Sequence, residues 1–262
     1  MRIAFLVSYV GTGFSGSQQQ PCVRTVEGEI IRSCLSLGLF FDWRDAGFQF
    51  SGRTDSGVHA RSQICTFDTD CPERAVSYIN RKLPGDIWCR GWAEVPAGYN
   101  PRYEVSSRTY RYFFPDTALD TGKMTVAAEY LPGRHNFSRF ARIYGGKDPE
   151  RDISSVEITH GKDGVVLEIC GRSFLWHMVR CISYALWQVG EGSAPPEMIQ
   201  EALSNPGGPR FPVAPAGGLI LWDIETETDF SIMDDLEKSN NYLKDFRGRH
   251  LQLKKASDLL EE

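Results

Sequence analysis

Apolar and polar positions in the first 105 residues alternate in short blocks that predict strands and helices in mixed order. Blocks with the period of a strand occur at four places: 2–9, 47–51, 63–68 and 86–94. Two helices are predicted, one capped by Thr25 that runs to about Leu37 and one that begins at Pro72. The segment between the second and third strands contains a polar loop from Gly52 to Ala60.

The pattern begins again after residue 105. Strands are predicted at 106–114, 152–160, 164–170 and 218–226, the middle two forming a hairpin around Asp163-Gly164. Helices are predicted at 118–131, from about Phe174 to Val189, and at 196–203, and the tail after Ser231 reads as one or two amphipathic helices. This order favours an α+β fold with two similar subdomains, residues 1–105 and 106–262, the second carrying the helical tail.

Composition narrows the class of protein. The chain is 41% hydrophobic and 24% charged, as globular proteins are, and it contains no apolar run of the roughly 18 residues that a membrane span needs. The first seven residues lead into a strand pattern without a cleavage site, so we expect a cytoplasmic protein and no membrane partner. Seven scattered cysteines without a CxxC pair, and five dispersed histidines, predict free thiols and no metal site.

The net charge of −5 is unfavourable for a nucleic-acid partner, but its distribution is uneven. Residues 1–105 carry 11 basic and 11 acidic side chains, residues 106–226 carry 12 and 14, and residues 227–262 carry 6 and 9. Most basic residues before the tail are arginines, which suit phosphate and base contacts. A local basic cleft therefore stays compatible with the acidic total.

The segment with the most unusual composition is F-S-G-R-T-D-S-G-V-H-A, residues 50–60. Gly52 and Gly57 permit positive φ angles or close backbone approach on either side of Arg53 and Asp55. A carboxylate held in this way is placed to meet a polar ligand. The pattern alone fits a solvated hairpin turn equally well.

Residues 52–60 resemble the signature loop of the TruA family of tRNA pseudouridine synthases, GRTDxGVHA, at eight fixed positions. Further segments are similar to that family in the same order: G-S-Q-Q-Q-P at 16–21, R-T-V-E-G-E at 24–29, R-T-Y-R-Y at 108–112, F-L-W-H-M-V-R at 174–180 and P-A-G-G-L at 215–219. The resemblance extends from residue 2 to about 226. Ser56 and Ser17 depart from the common pattern, Ser17 at a position that is aromatic in many members.

The resemblance implies the pseudouridine synthase fold, with mixed, mostly antiparallel sheets flanked by helices around a central cleft. It also implies an isomerase that converts uridine to pseudouridine in tRNA, with Asp55 as the catalytic carboxylate. The reaction breaks an N-glycosidic bond, turns the base over and joins C5 to C1′, so no cofactor is expected. Attack at C1′, addition at C6 and proton removal at C2′ remain alternative routes.

The resemblance assigns roles to three further residues. Arg53 helps to displace the target nucleotide, since a guanidinium is planar and always charged. Tyr112 stacks on the flipped uracil and takes part in catalysis, whereas Tyr110 on the same strand face is interpreted as packing. Arg180 pairs with Asp55 and holds it ionised. The remaining expected RNA contacts are Arg24, Arg61, Arg108, Arg111 and His59.

The expected partner is the anticodon arm of tRNA, with uridines 38, 39 and 40 as targets, bound by a homodimer. Three alternatives stay open at this point. They are an RNA-binding protein without catalysis, a synthase for another tRNA position or another RNA, and a glycosidase-like hydrolase. The hydrolase needs two carboxylates near the bond, and Asp55 has no evident acidic companion in the sequence.

Overall fold

The computed structural model describes residues 1–115, 118–161 and 164–260. The strands of these residues are β1 (Arg2–Tyr9), β2 (Gln49–Phe50), β3 (His59–Asp68), β4 (Ile87–Val95), β5 (Val105–Phe114), β6 (Gly133–Asn136), β7 (Glu150–Gly161), β8 (Gly164–Gly171), β9 (Leu219–Thr226) and β10 (Ser231–Ile232). The α-helices are α1 (Val26–Ser36), α2 (Pro72–Lys82), α3 (Thr121–Ala128), α4 (Met178–Gly190), α5 (Glu197–Ser204) and α6 (Glu237–Leu260). The mixed order confirms the predicted α+β class.

All ten of these strands form one sheet. Nine of them follow the order β10-β4-β1-β3-β9-β5-β8-β7-β6, and β2 pairs with β3 beside this path. Neighbouring strands are antiparallel except β3 and β9, which are parallel and pair His59 with Ile220 and Ala60 with Leu221. This short parallel contact joins the sheet strands of the first half of the chain to those of the second. It lies directly after the polar loop, so the loop is placed where the two halves meet.

Aromatic side chains pack against the sheet in both halves, and in the second half they join a helix to it. In the first half, the rings of Phe5 and Phe40 lie 5.9 and 5.4 Å from that of Phe67, between centroids. In the second half, Phe114 of β5 meets Trp187 of α4 at 6.0 Å. Burial of such side chains stabilises each by about 1.5–3 kcal/mol, so these contacts fix the strands that carry the site.

Several boundaries differ from those that the sequence predicts. β3 begins at His59 rather than at residue 63, and α3 occupies only the middle of the predicted helix 118–131. α4 begins at Met178 rather than near Phe174, for a reason described below. The predicted turn residue Asp163 lies outside the described residues, although β7 and β8 do form the expected antiparallel pair.

The C-terminal tail returns to the first half of the chain. β10 pairs with β4, and the α6 side chain of Lys238 donates to the Leu83 carbonyl at 2.5 Å. Asp235, just before α6, forms an ion pair of 2.8 Å with Arg81. The tail forms one helix, α6, which agrees with the predicted one or two. None of the described helices combines the length and apolar character needed to cross a membrane.

Candidate active site

The loop after β2 is held by contacts of Thr54, which is buried. The Thr54 backbone N–H donates to Ser17 Oγ at 2.9 Å, and the Ser17 N–H donates to the Thr54 carbonyl at 3.1 Å. The Thr54 hydroxyl shares a hydrogen bond of 2.7 Å with that of Tyr9 on β1. Because Thr54 is fixed on both its backbone and its side chain, the positions of Arg53 and Asp55 on either side of it are fixed as well.

A tight turn follows Asp55. The Val58 N–H donates to the Asp55 carbonyl at 3.2 Å, and Gly57 has a φ of +82°, a conformation that glycine adopts without a Cβ clash. Gly11 approaches the same turn so closely that a Cβ there would lie 2.0 Å from the Val58 oxygen. The sequence expectation of special glycine geometry is therefore confirmed at Gly57. Gly52 does not have a positive φ.

Three side chains from the second half of the chain surround the Asp55 carboxylate. Arg180 Nη1 donates to Oδ2 at 2.9 Å, and the Trp176 indole N–H donates to Oδ1 at 2.9 Å. His177 Nε2 lies 3.5 Å from Oδ2. Arg180 is itself fixed, because its Nε donates to the Ala214 carbonyl at 2.8 Å. The Asp55 side chain keeps 23% of its surface exposed, so the carboxylate is oriented and remains accessible.

The backbone of His177 explains why α4 begins later than the periodicity predicts. His177 has a φ of +66° in the left-handed region, and it immediately precedes Met178, the first residue of α4. Residues with a Cβ rarely adopt this conformation, and it cannot continue a right-handed helix. The sharp change of direction accompanies the contacts of Trp176 and His177 with Asp55. The prediction that the helix starts near Phe174 was wrong for this reason.

Burial lowers the pKa of His177 below its usual range, and the neighbouring cations Arg180, Arg210 and Arg142 lower it further against the opposing effect of Asp55. The imidazole is therefore neutral near pH 7. Its Nδ1 atom is buried and makes no hydrogen bond to any residue that the structure describes. Three arginines therefore lie near His177, beside the Asp55 carboxylate, although the chain is acidic overall.

Asp55 opens into a small cavity between the loop, β5 and the start of α4. Its lining comprises Arg53, Thr54, Asp55, Val58, Tyr110, Phe174, Leu175, His177, Met178, Val179, Arg180 and Leu219. Two of the three predicted catalytic residues, Asp55 and Arg180, are thus brought together, and Arg53 lies beside them. The guanidinium of Arg53 is exposed and makes no hydrogen bond or close ion pair within the described residues.

The structure places Tyr110 on the cavity, not Tyr112. The Tyr110 ring meets Phe174 edge-on at 5.1 Å, and its burial raises the pKa of its hydroxyl to about 12, so it stays protonated. Tyr112 is 1% exposed, packs on Phe114 at 4.9 Å and lies against Gly218, where a Cβ would come within 2.8 Å of its ring. The tyrosine that lines the cavity is therefore at position 110, whereas the sequence expectation named position 112.

Arg108 has a structural environment that differs from the predicted RNA contact. Its guanidinium is buried and donates to the carbonyls of Arg172, Ser51 and Arg102 at 2.7, 2.8 and 3.1 Å. Burial lowers its pKa from the usual arginine value. Because its donors are used within the protein, Arg108 connects the loop at residues 52–60 to β5 rather than facing phosphate.

Three other arginines are also paired within the protein. Arg24 forms a two-point contact with Asp86 at 2.7 and 2.9 Å and a further one with Glu29 at 2.7 Å. The guanidinium carbons of Arg61 and Arg111 both lie over the indole of Trp222, 4.7 and 3.8 Å from the ring centroid. Neighbouring side chains of a strand point to opposite faces, so Arg111 lies on the other face of β5 from Tyr110. None of the three lines the cavity.

His59, at the end of the loop at residues 52–60, connects that loop to the turn after β1. Its Nδ1 accepts the Gly11 N–H at 3.0 Å. Burial lowers its pKa below the ordinary value of 6.5. The ring is therefore neutral at pH 7 and acts as an acceptor within the loop framework.

Trp176 and Ser17 lie in segments that resemble the family, but the sequence alone does not predict their contacts. Trp176 directly precedes the His-Met-Val-Arg run, and Ser17 follows a glycine in the segment that resembles the family N-terminus. Their contacts with Asp55 and Thr54 depend on the tertiary arrangement. Among the residues that the structure describes, no three histidine, cysteine or acidic side chains are placed to hold a metal ion.

Comparison with known proteins places the chain in a family. The family model for tRNA pseudouridine synthase matches residues 127–227. A protein from Methanoculleus marisnigri named tRNA pseudouridine synthase A is 48% identical over 257 residues, covering 98% of this chain and 94% of that protein. A protein of the same name from Thermococcus kodakarensis is 39% identical over 226 residues, covering 86% and 85%. Among solved structures, a Cbf5-Nop10-Gar1 complex aligns with 71% of this chain and 45% of that chain, at 10% identity and a TM-score of 0.38.

The relatives that match nearly the whole chain, together with the family model, define a pseudouridine synthase. The chain belongs to the tRNA pseudouridine synthase A family, and it is an isomerase that converts uridine to pseudouridine in tRNA.

His59 generates a prediction about stability and pH. Since its pKa is lowered on folding, the unfolded state takes up more protons below pH 6.5, and the folded state loses stability as the pH falls through that value. We expect His59→Asn, which retains an acceptor near Nδ1, to reduce this loss between pH 7 and pH 5. Urea unfolding at pH 7, 6 and 5 measures it. An equally steep loss in the variant and the wild type would contradict the assignment.

Proposed function

We propose that this chain isomerises uridines 38, 39 and 40 in the anticodon stem-loop of tRNA, with Asp55 as the catalytic carboxylate. The observation that carries the proposal is the convergence of Asp55, Arg180, Arg53 and Tyr110 on one cavity, with the carboxylate exposed to it. The choice of the anticodon arm is supported by the resemblance of residues 52–60 to the family loop.

The geometry suits a reaction that needs one oriented carboxylate. Arg180 and Trp176 each donate to a different oxygen of Asp55, which fixes the plane of the carboxylate while leaving lone pairs on both atoms. A carboxylate oriented in this way can attack C1′, add to C6 or remove a proton at C2′. Each route begins with Asp55 acting as a nucleophile or base, so the same residue is required in all of them.

The target base has to leave the RNA stack before Asp55 can reach it. Arg53 is exposed at the rim of the cavity with its guanidinium unpaired among the described residues, so it is available to occupy the position that the base leaves. Tyr110 provides a ring inside the cavity on which the uracil stacks, and its protonated hydroxyl provides a donor. We therefore assign to Tyr110 the role that the sequence resemblance gave to Tyr112.

We propose that the protein works as a homodimer on one tRNA and that it is cytoplasmic. The outer face of β5, β8 and β9 supports an interface, since it carries the partly exposed apolar side chains Phe113, Val166, Ile220 and Trp222. Sedimentation equilibrium at micromolar concentration tests the dimer. A mass of twice the 29.5 kDa chain is expected, and the mass of a single chain would reject it.

The proposed catalytic role predicts that Asp55→Asn abolishes tritium release from tRNA labelled with 5-³H-uridine. The substitution retains the size of the side chain but removes its charge and basicity, so we expect a loss of at least about 10³-fold in rate. Filter binding should show that the variant still binds tRNA. Asp223→Asn is the matched control, because that exposed carboxylate lies 3.7 Å from Arg61 and does not line the cavity.

Transcripts in which uridines 38, 39 and 40 are replaced by cytidine, one at a time and all three together, test the position within the same assay. Release that depends on these uridines is expected. Release that survives all three replacements would assign the enzyme to another tRNA position. Tritium release by Asp55→Asn at the wild-type rate would refute the role of the carboxylate, and release of free uracil would indicate a hydrolase.

The assignment to Tyr110 predicts different effects of Tyr110→Leu and Tyr112→Leu. Loss of a stacked base contact costs about 1–3 kcal/mol, so Tyr110→Leu should slow single-turnover tritium release at least about 10-fold. Tyr112→Leu removes a buried ring that is T-shaped on Phe114, and it should lower the melting temperature instead. Single-turnover rates and thermal unfolding of both variants decide. A rate loss in Tyr112→Leu alone, with unchanged stability, would restore the original assignment.

A further inference from the structure

Beside Asp55 lies an exposed group of three side chains, Arg142, Tyr144 and Trp176, which we call the Trp176 cluster. The rings of Tyr144 and Trp176 are stacked, with centroids 5.3 Å apart and planes 30° from parallel. The guanidinium carbon of Arg142 lies 4.9 Å from the Tyr144 centroid and 4.8 Å from that of Trp176. The cluster therefore combines two flat rings with one cation.

Backbone and side-chain contacts connect this cluster to the catalytic carboxylate. The Arg142 N–H donates to the Trp176 carbonyl at 2.9 Å, which holds the two segments together. On its other side, the Trp176 indole N–H donates to Asp55 Oδ1 at 2.9 Å. A displacement of the indole would therefore move the donor that sets the orientation of the carboxylate.

The cluster is more exposed than packing alone requires. Trp176 is 44% exposed and Tyr144 is 51% exposed. Ile143, which lies between Arg142 and Tyr144 in the sequence, is 36% exposed. Adjacent large apolar side chains on a surface indicate a binding site more often than isolated ones do. Three arginines, Arg142, Arg180 and Arg210, lie near enough to act on the neighbouring His177, together with the carboxylate of Asp55.

Aromatic faces next to arginines are the combination that binds unpaired nucleotides. Bases stack on the rings irrespective of their sequence, and the guanidinium neutralises the phosphate. A tRNA loop from which one base has been extruded offers unpaired neighbours at a distance of one nucleotide from the reacting base. The position of the cluster, adjoining Asp55 and outside the lining of the cavity, suits a neighbour and not the target base itself.

We propose that Trp176 is a positioning residue for Asp55 and that its exposed face, with Tyr144 and Arg142, stacks an unpaired nucleotide flanking the target uridine. The inference rests on the proposed function, in which Asp55 is the catalytic carboxylate. Stacking holds the indole in place, and the indole N–H holds Oδ1, so binding of the flanking nucleotide is coupled to alignment of the carboxylate.

The experiment separates the N–H donor from the stacking face. Trp176→Phe retains a ring but removes the donor, Trp176→His restores an N–H donor, and Tyr144→Ala removes part of the stacking face. Tyr78→Ala is the matched control, because Tyr78 is 47% exposed on α2 and has its own cation, Arg81, 5.5 Å from its ring. For each variant, single-turnover tritium release at saturating enzyme and the Kd for tRNA are measured, together with the melting temperature.

For Trp176→Phe we expect the rate to fall about 10- to 100-fold, as for loss of a hydrogen bond to a charged group, with the Kd within about twofold of wild type. Trp176→His should recover part of that rate. For Tyr144→Ala we expect the larger effect on binding, a Kd raised about 5- to 10-fold. Tyr78→Ala should change neither quantity.

Wild-type rate in Trp176→Phe would overturn the positioning role, and unchanged Kd in Tyr144→Ala would overturn the stacking role. A rate loss in Trp176→Phe that His does not relieve, accompanied by a lower melting temperature, would reduce Trp176 to a packing residue. These outcomes differ from failure of the proposed function, which would appear as wild-type protein that releases no tritium from any folded tRNA. In that case the Kd of Tyr144→Ala still tests whether the cluster binds RNA.

Discussion

The ion pair between Arg180 and Asp55 connects a loop of the first half of the chain to a helix of the second half. Each partner is also held in place by contacts with other residues. Thr54, next to Asp55, is held by Ser17 and Tyr9, and Arg180 is held by the Ala214 carbonyl. The Asp55 side chain is 23% exposed, and its two oxygens are oriented by the Arg180 guanidinium and the Trp176 indole. The loop, the start of α4 and the parallel contact of β3 with β9 all serve to bring these two groups together.

Periodicity was sufficient for most of the fold, and it failed where a single backbone angle decides the outcome. The residues from Phe174 to Val189 have a nearly continuous helical pattern, yet His177 adopts a left-handed conformation and α4 begins one residue later. That conformation is strained for a residue with a Cβ, and its cost is offset by contacts made to Asp55 across the molecule. A local pattern contains no information about those contacts.

The tyrosines of β5 show a different limit. Tyr110 and Tyr112 lie on the same face of one strand, so their spacing cannot distinguish the residue that lines a cavity from the one that is covered. The two tyrosines differ in the residues packed around them. Gly218 and Phe114 cover Tyr112, whereas Tyr110 contacts Phe174 and lines the cavity. The arginines behave similarly. Their number in the sequence did not show that Arg108 satisfies three carbonyls inside the protein.

A double-mutant cycle between Asp55 and Arg180 tests the central claim most directly. Single-turnover tritium release would be measured for wild type, Asp55→Asn, Arg180→Met and the double variant. If Arg180 acts through the carboxylate, its loss costs activity only while the carboxylate is present, so the double variant should be no slower than Asp55→Asn. Rate losses that simply multiply in the double variant would contradict the account, because they would mean that the two residues act independently.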